Sequence, residues 1–369
     1  MTSVAIHVDQ PFFRVPGGIG TYVRHLVPAL AEVEPSLDLL LFHARFDRPP
    51  EAWMTRWPRV ALPRGIRTLY PSWALLARPP LPPPVDRADV VHAPSPSAVP
   101  PVGRRQRLVV TVHDVAFRLH PAMYPSPWRA LYRLGLRRAL RRADALLAPS
   151  RHTADDLIGA GAAAPRVRVV PLAASLPSHG SDPEPVLARL GVPRPYVLFV
   201  GTVEPRKNLV RLIRAYRQAV STERLPHGLV LAGPLGWRAD AVRRELSVPA
   251  PGRVVLTGRV DDAALDALYR GADAFCYPSL YEGFGLPVLE AMARGVPVIC
   301  SNATSLPEVA GDAAILVDPR SVDGLAAAIA GLLRDEAERR RLSSAGRARA
   351  AGYSWERTAR ETAEAYRAA

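Results

Sequence analysis

Cysteine and lysine are nearly absent from this chain of 369 residues, which has two cysteines and, beside 47 arginines, one lysine. Cys276 and Cys300 each lie inside an apolar run, so neither a disulfide framework nor a four-cysteine metal site can be built, and a reducing compartment is the expected setting. No segment supplies the ~20 uninterrupted apolar residues of a membrane-spanning helix. The opening run Thr2 to Asp9 has no basic lead and no long apolar core, which argues against a secretory signal. The expected location is therefore cytoplasmic, with peripheral contact at the inner face of the membrane left open. Asp-x-Asp pairs are missing too, which removes the usual carboxylate clamp for a catalytic Mg or Mn ion.

Acidic residues are scarce in one half only. The net charge is +14, and of this +11 falls on residues 1–178, an asymmetry that favours an anionic partner: nucleic acid, an acidic membrane face or a phosphorylated substrate. Its densest part is 128–142, where six arginines alternate with leucines at helical spacing and no acid intervenes. A basic amphipathic helix against anionic lipid fits this pattern, and so does a packed helix with a solvated arginine face. Aromatic residues make up only 7% of the chain, too few to suggest base-stacking platforms, and no nucleic-acid recognition motif is present.

With 48% hydrophobic residues, the chain can bury two cores of ordinary size. Short β-branched runs alternate with helical patterns. Strands are expected at Val4 to Val8, Leu37 to Phe42, Val90 to His92, Leu108 to Val112, Ala145 to Ala148 and Val167 to Val170, and again at Tyr196 to Val200, Leu229 to Ala232, Val254 to Leu256, Ala274 to Tyr277, Val298 to Cys300 and Ala314 to Val317. Alternation of this kind predicts α/β architecture: two Rossmann-like, doubly wound parallel-sheet domains facing across a cleft. The expected boundaries are an amino-terminal domain 1–178, a linker 179–194, a second domain 195–350 and a final segment 351–369. Five prolines within 79–84 imply an extended surface loop.

Four segments could carry chemistry. Pro16-Gly17-Gly18-Ile19-Gly20 precedes a helix, where glycines let backbone NH groups approach an anion or sugar; Val23 stands where a dinucleotide fingerprint needs its third glycine, so NAD is disfavoured. A strand running into His113-Asp114 places an imidazole at a sheet's carboxyl end. Another strand runs into Gly201-Thr202-Val203-Glu204-Pro205-Arg206-Lys207-Asn208, where Arg206 by its planar fork and Lys207 by its point charge suit a diphosphate. The fourth segment, Tyr281-Glu282-Gly283-Phe284-Gly285-Leu286-Pro287-Val288-Leu289-Glu290-Ala291-Met292-Ala293, joins a permissive turn to a helix start, a second anion cradle. Glu282 and Glu290 flank it, and a carboxylate accepts hydrogen bonds from paired sugar hydroxyls.

At these residues the chain resembles glycosyltransferase family 4, the retaining nucleotide-sugar transferases of the GT-B fold. Glu282 and Glu290 match the family's Glu-x7-Glu signature, Gly201 to Asn208 its phosphate turn, Gly17 to Gly20 its amino-terminal glycine loop, and Val112-His113-Asp114 and Ser354-Trp355 fit as well. The resemblance implies that Glu282, with the backbone of Gly283, Phe284, Gly285 and Leu286, holds the donor sugar, and that Glu290 holds the ribose. Arg206 and Lys207 then neutralise the diphosphate, Gly201 belongs to the same donor-binding turn, Gly18 and Gly20 line the donor side, and His113 lines the reaction centre. The final helix, roughly Trp355 to Tyr366, is expected to return to the amino-terminal domain. The implied reaction is metal-independent transfer of a hexose, mannose from GDP-mannose, to a saccharide or lipid-linked saccharide in polysaccharide or glycolipid assembly, with no cofactor beyond the donor. Thr202 departs from the arginine many members carry there, and Leu172-Ala173-Ala174-Ser175 from Gly-Val-Asp. A nucleotide-sugar epimerase on the same fold and a basic nucleic-acid-binding protein are the competing classes.

Overall fold

A computed structural model describes residues 2–174, 180 and 182–368. The chain divides into two compact units, Met1–Leu172 with Ser354–Ala369, and Ala173–Tyr353. The breaks thus fall at 172/173 and 353/354, against the expected 178 and 350. Of the expected linker, residues 179 and 181 lie outside the described residues. Its remainder is not a free connector: Glu184–Arg189 is a helix that buries Leu187 and packs on the helix Asp262–Arg270 of the second unit.

Unit one holds a seven-stranded sheet in the order β3-β2-β1-β4-β5-β6-β7. Its strands are β1 (Thr2–His7), β2 (Leu37–His43), β3 (Arg59–Ala61), β4 (Val90–Ala93), β5 (Arg107–Thr111), β6 (Ala145–Ala148) and β7 (Val167–Val169). Every pairing is parallel. Helices cover both faces of such a sheet, so its inner strands are largely apolar, as the fully buried β6 is and as β4 is apart from His92. β3 is the strand the sequence pattern does not reveal. It is three residues long, mostly exposed, and sits at the sheet edge.

The glycine segment is helical rather than a loop before a helix: Gly17–Val33 begins at Gly17, with Pro16 as its cap. Gly20 already donates its NH to the Pro16 carbonyl at 3.2 Å, and a Cβ there would lie 2.4 Å from that of Pro16. Close packing therefore explains Gly20, while Gly18 is exposed in the first turn. The expected proline loop keeps Leu81 buried in the core. The arginine-rich segment forms the helix Ser126–Arg142, which turns Gly135, Leu136 and Ala139 inward and leaves Arg133, Arg137, Arg141 and Arg142 exposed. Arg138 is tied down by the Val99 and Pro100 carbonyls at 3.1 and 3.3 Å. The apolar face belongs to the protein core, so the packed-helix reading describes this element, with its basic face and the half-exposed Trp128 on the surface.

The carboxyl-terminal helix Trp355–Ala368 packs on Gly17–Val33. Tyr366 is its anchor. The Tyr366 hydroxyl lies 2.7 Å from His92 Nδ1, His92 Nε2 lies 2.8 Å from Thr111 Oγ1, and Thr111 Oγ1 lies 3.1 Å from the Tyr22 hydroxyl. Burial pushes the His92 imidazole down to about 3, so the chain of polar groups is neutral near pH 7, as an enclosed network has to be.

Unit two carries six parallel strands in the order β10-β9-β8-β11-β12-β13: β8 (Tyr196–Val200), β9 (Gly228–Ala232), β10 (Val254–Gly258), β11 (Ala274–Tyr277), β12 (Val298–Ser301) and β13 (Ala314–Val317). The chain runs outward from β8 through β9 to β10, then returns to lay β11 on the other side of β8. That reversal is a topological switch point, where loops after adjacent strands diverge and leave a crevice at the carboxyl end. The loops in question follow β8 and β11, and they contain the two most informative sequence segments.

Candidate functional site

The loop after β8 begins at Gly201, whose φ of +150° and whose NH bonded to the Ala232 carbonyl at 2.8 Å bring it against β9. A Cβ on the facing Gly233 would lie 2.1 Å from the Gly201 oxygen, so only glycine permits this approach. A single 3-10 turn, Pro205–Lys207, follows, and Asn208 at φ +62° ends it, a left-handed conformation asparagine tolerates better than most residues. The Asn208 amide donates to the Pro278 and Pro319 carbonyls at 3.0 and 2.6 Å. Leu280 NH donates to the Arg206 carbonyl at 2.8 Å. These bonds stitch the two loops together and turn Lys207 inward.

The loop after β11 is fixed from the other side. Thr304 Oγ1 accepts the Glu282 NH at 3.1 Å, and Ser305 Oγ donates to the Glu282 and Phe284 carbonyls, both at 2.9 Å. Phe284 is buried, edge-on to Tyr353. Gly285, at φ +109° and crowded by Leu306, starts the helix Leu286–Ala293, whose first-turn amides and dipole favour negative charge.

Four charged side chains meet here. Glu282 Oε2 accepts from Arg206 Nη1 at 2.7 Å, and Glu282 Oε1 from Lys207 Nζ at 2.6 Å. Arg206 Nε lies 2.5 Å from Glu204 Oε1. Lys207 also donates to the Tyr277 hydroxyl. Side-chain exposures are 8% for Glu282, 7% for Lys207, 18% for Arg206 and 3% for Glu204. Burial by itself would raise the Glu282 carboxyl, but Arg206 and Lys207 together outweigh it and hold that group down to about 2. Burial and the adjacent guanidinium keep the Lys207 ammonium below the ordinary lysine range, with Glu282 and Glu204 pulling the other way. The carboxylate is thus firmly ionised, and it occupies the two cations that the sequence reading offers to a diphosphate.

Glu290 is buried inside the helix Leu286–Ala293. Its Oε2 accepts from the Tyr269 hydroxyl at 3.0 Å. Arg294 places its Nε 2.7 Å from Asp266 Oδ1 and its Nη1 3.3 Å from the Glu290 carbonyl oxygen. A carboxylate buried on an apolar helix and steered by a tyrosine is suited to gripping hydroxyls. His113 belongs to unit one, just past β5. Burial depresses its imidazole to about 4 against a supporting bond from the Pro94 carbonyl, and its Nε2 is buried without a partner. The structure thus gathers Gly201, Arg206, Lys207, Glu282, Gly283, Phe284, Gly285, Leu286 and Glu290 at one sheet end of unit two, while Gly18, Gly20 and His113 are in unit one. Sequence reasoning assigned no part to Glu204, Tyr277 or Tyr269. Glu204 lies within the quoted phosphate turn, and the strand-ending position of Tyr277 was the available signal; nothing in the sequence pairs Tyr269 with Glu290.

Residues 16–176 match the family described as Glycosyltransferase Family 4, and residues 188–349 the family Glycosyl transferases group 1. The O-antigen chain mannosyltransferase B of Escherichia coli is 33% identical over 98% of this chain and 99% of its own. The chain belongs to glycosyltransferase family 4. It is a glycosyltransferase, and the two α/β units have the GT-B fold. An MMP alpha-(1->4)-mannosyltransferase of Mycolicibacterium hassiacum is 33% identical over 62% of this chain and 55% of its own. Among solved structures, sucrose-phosphate synthase from Thermosynechococcus elongatus superposes with a TM-score of 0.75 at 23% identity, covering 100% of this chain and 98% of the other. Neither the epimerase nor the nucleic-acid reading finds support in these matches. No helix among the described residues is long and apolar enough to cross a membrane.

Proposed function

We propose that this glycosyltransferase moves mannose from GDP-mannose to a saccharide or lipid-linked saccharide acceptor, with retention of configuration and without a metal ion. The observation that carries the donor part is the meeting of Arg206, Lys207 and Glu282 at the switch point of the second sheet, beside the amino terminus of the helix that buries Glu290. Mannose is supported by the two relatives named as mannosyltransferases.

In this reading the acceptor oxygen attacks the anomeric carbon from the face that the diphosphate leaves. The carbon–oxygen bond to phosphate breaks, the electron pair departs with the nucleoside diphosphate, and a phosphate oxygen takes the acceptor's proton. Charge grows on the leaving group, and Arg206, Lys207 and the helix dipole meet it there, an arrangement that lowers the barrier because it is already in place. Glu282 accepts from sugar hydroxyls and Glu290 from the ribose pair. The Gly283–Leu286 backbone brings amides close to phosphate, and the tight turn at Gly201, whose own NH is held by the Ala232 carbonyl, lets the loop after β8 approach it. His113 offers a neutral ring through its unpartnered Nε2. The exposed face of Arg133, Arg137, Arg141 and Arg142 is proposed to rest on an anionic inner-membrane surface, which places the protein at the cytoplasmic side.

Transfer assays with Glu290→Ala and Lys207→Ala test the site, and full activity in both variants would sink it. The anomeric configuration of the product, read by NMR, tests retention. Undiminished turnover in EDTA tests metal independence. Salt-sensitive sedimentation with anionic vesicles, absent with neutral ones, tests the membrane contact.

A further inference from the structure

Both oxygens of Glu282 are taken by the cations that a donor diphosphate needs. The local cluster holds two cations, Arg206 and Lys207, and two carboxylates, Glu204 and Glu282. It is close to neutral. Adding a diphosphate while Glu282 keeps its place would leave the site strongly negative in a poorly hydrated setting, where like charges repel far more than in water. Moving Glu282 aside leaves two cations facing the phosphates and frees a carboxylate that can accept only from donors such as hydroxyls.

The geometry allows that movement. The Glu282 backbone is pinned on both sides, by Thr304 at its NH and by Ser305 at its carbonyl. Lys207 is retained from behind by Tyr277, over whose ring its ammonium lies at 4.8 Å from the centroid, and Arg206 by Glu204. The cations thus stay put when the carboxylate leaves, and the change reduces to rotation of one side chain about a fixed loop.

We propose that Glu282 is a displaceable counter-ion: it neutralises Arg206 and Lys207 in the empty enzyme, and the donor diphosphate exchanges with it, releasing its carboxylate to the sugar hydroxyls. Glu204 and Tyr277 are the positioning residues that keep the cations in place during the exchange. The proposal rests on the donor-site reading above and adds a coupling to it. The sugar-gripping group becomes available only once the phosphates are seated, so nucleoside diphosphate affinity is given up for recognition of the whole donor.

The unique lysine supplies the probe. Full-length protein labelled with 15N and 13C at lysine gives one side-chain signal, that of Lys207, which is followed while GDP is added to the wild type and to Glu282→Gln. Exchange predicts that the glutamine variant binds GDP about tenfold more tightly or better, since an internal charge-assisted competitor is gone, and that it loses sugar transfer. In the wild type, GDP moves the Lys207 signal. Equal or weaker GDP binding by Glu282→Gln, with the wild type binding normally, overturns the exchange and leaves the donor site standing. No binding of GDP, UDP or ADP and no movement of the signal in the wild type overturn both. Glu282→Asp, which keeps the charge but draws it back by one methylene from Arg206 and Lys207, gives the same direction of change and serves should the glutamine variant not fold.

Discussion

Replacing Glu282 by glutamine should make the pH dependence of stability itself a signal. In the folded protein the Glu282 carboxyl lies at about 2 against an ordinary 4.5. At about 1.4 kcal/mol for each pH unit, that gap corresponds to about 3 kcal/mol. A carboxylate whose value is depressed by folding contributes fully above its unfolded value and loses the contribution as pH falls through the folded one. The wild type should therefore exceed Glu282→Gln by about 3 kcal/mol near pH 7, and about 2 kcal/mol of that difference should be gone by pH 3. Urea unfolding of both proteins at pH 7, 5, 4 and 3, with equal slopes, gives the comparison. A difference that stays constant over this range would show that Glu282 gains nothing from Arg206 and Lys207, and would refute the charge cluster as the basis of the site.

Other consequences follow from single positions. Gly135→Ala drives a Cβ to 1.8 Å from the Pro96 carbonyl oxygen, so the arginine-rich helix must shift; a loss of about 3 kcal/mol or more is expected in chemical denaturation, at the upper end for overpacking. Tyr366→Phe strips His92 Nδ1 of its partner and should cost about 1 to 2 kcal/mol, measurable as a lower melting temperature. Tyr269→Phe leaves Glu290 Oε2 without that hydroxyl; the KM for donor should rise about tenfold, the worth of one hydrogen bond to a charged acceptor, with kcat changed far less.

Much of the fold was legible because buried parallel strands leave a plain trace. Runs such as Tyr196–Val200 and Gly228–Ala232 are buried along their whole length, so they read as unbroken apolar stretches between amphipathic helices. β3 left no such trace: at three residues, pairing only with β2, it has neither length nor period. Glycine is a poor helix former, so the start of the helix Gly17–Val33 reads as a loop in the sequence, and packing against Pro16 supplies the reason glycine is used at Gly20. The connector around Glu184–Arg189 was hidden among prolines and serines, although Leu187 ties it to the second unit.

For the candidate site, spacing alone located the two loops, since residues 201–208 and 278–285 follow strands that the topology makes neighbours. What the linear pattern could not show is who satisfies whom. Arg206 and Lys207 lie more than seventy positions from Glu282, and an ion pair across two loops has no signature in either. The same holds for Tyr269 and Glu290, brought together by helix packing, and for His92, whose partners come from β5 and the last helix. Side-chain satisfaction is a tertiary property. It also alters the reading of Glu282, which the sequence presents as a sugar-binding group and the fold holds on Arg206 and Lys207.

The account turns on the cations after β8 receiving a nucleoside diphosphate. Unfolding free energy measured with and without GDP, for the wild type and for Arg206→Ala/Lys207→Ala, tests this most directly. A ligand at ~100 times its dissociation constant should add ~2.7 kcal/mol to the wild type and nothing to the double variant at the same concentration. Equal stabilisation of the two proteins would contradict the account, as would a wild type left unchanged by GDP, UDP and ADP alike.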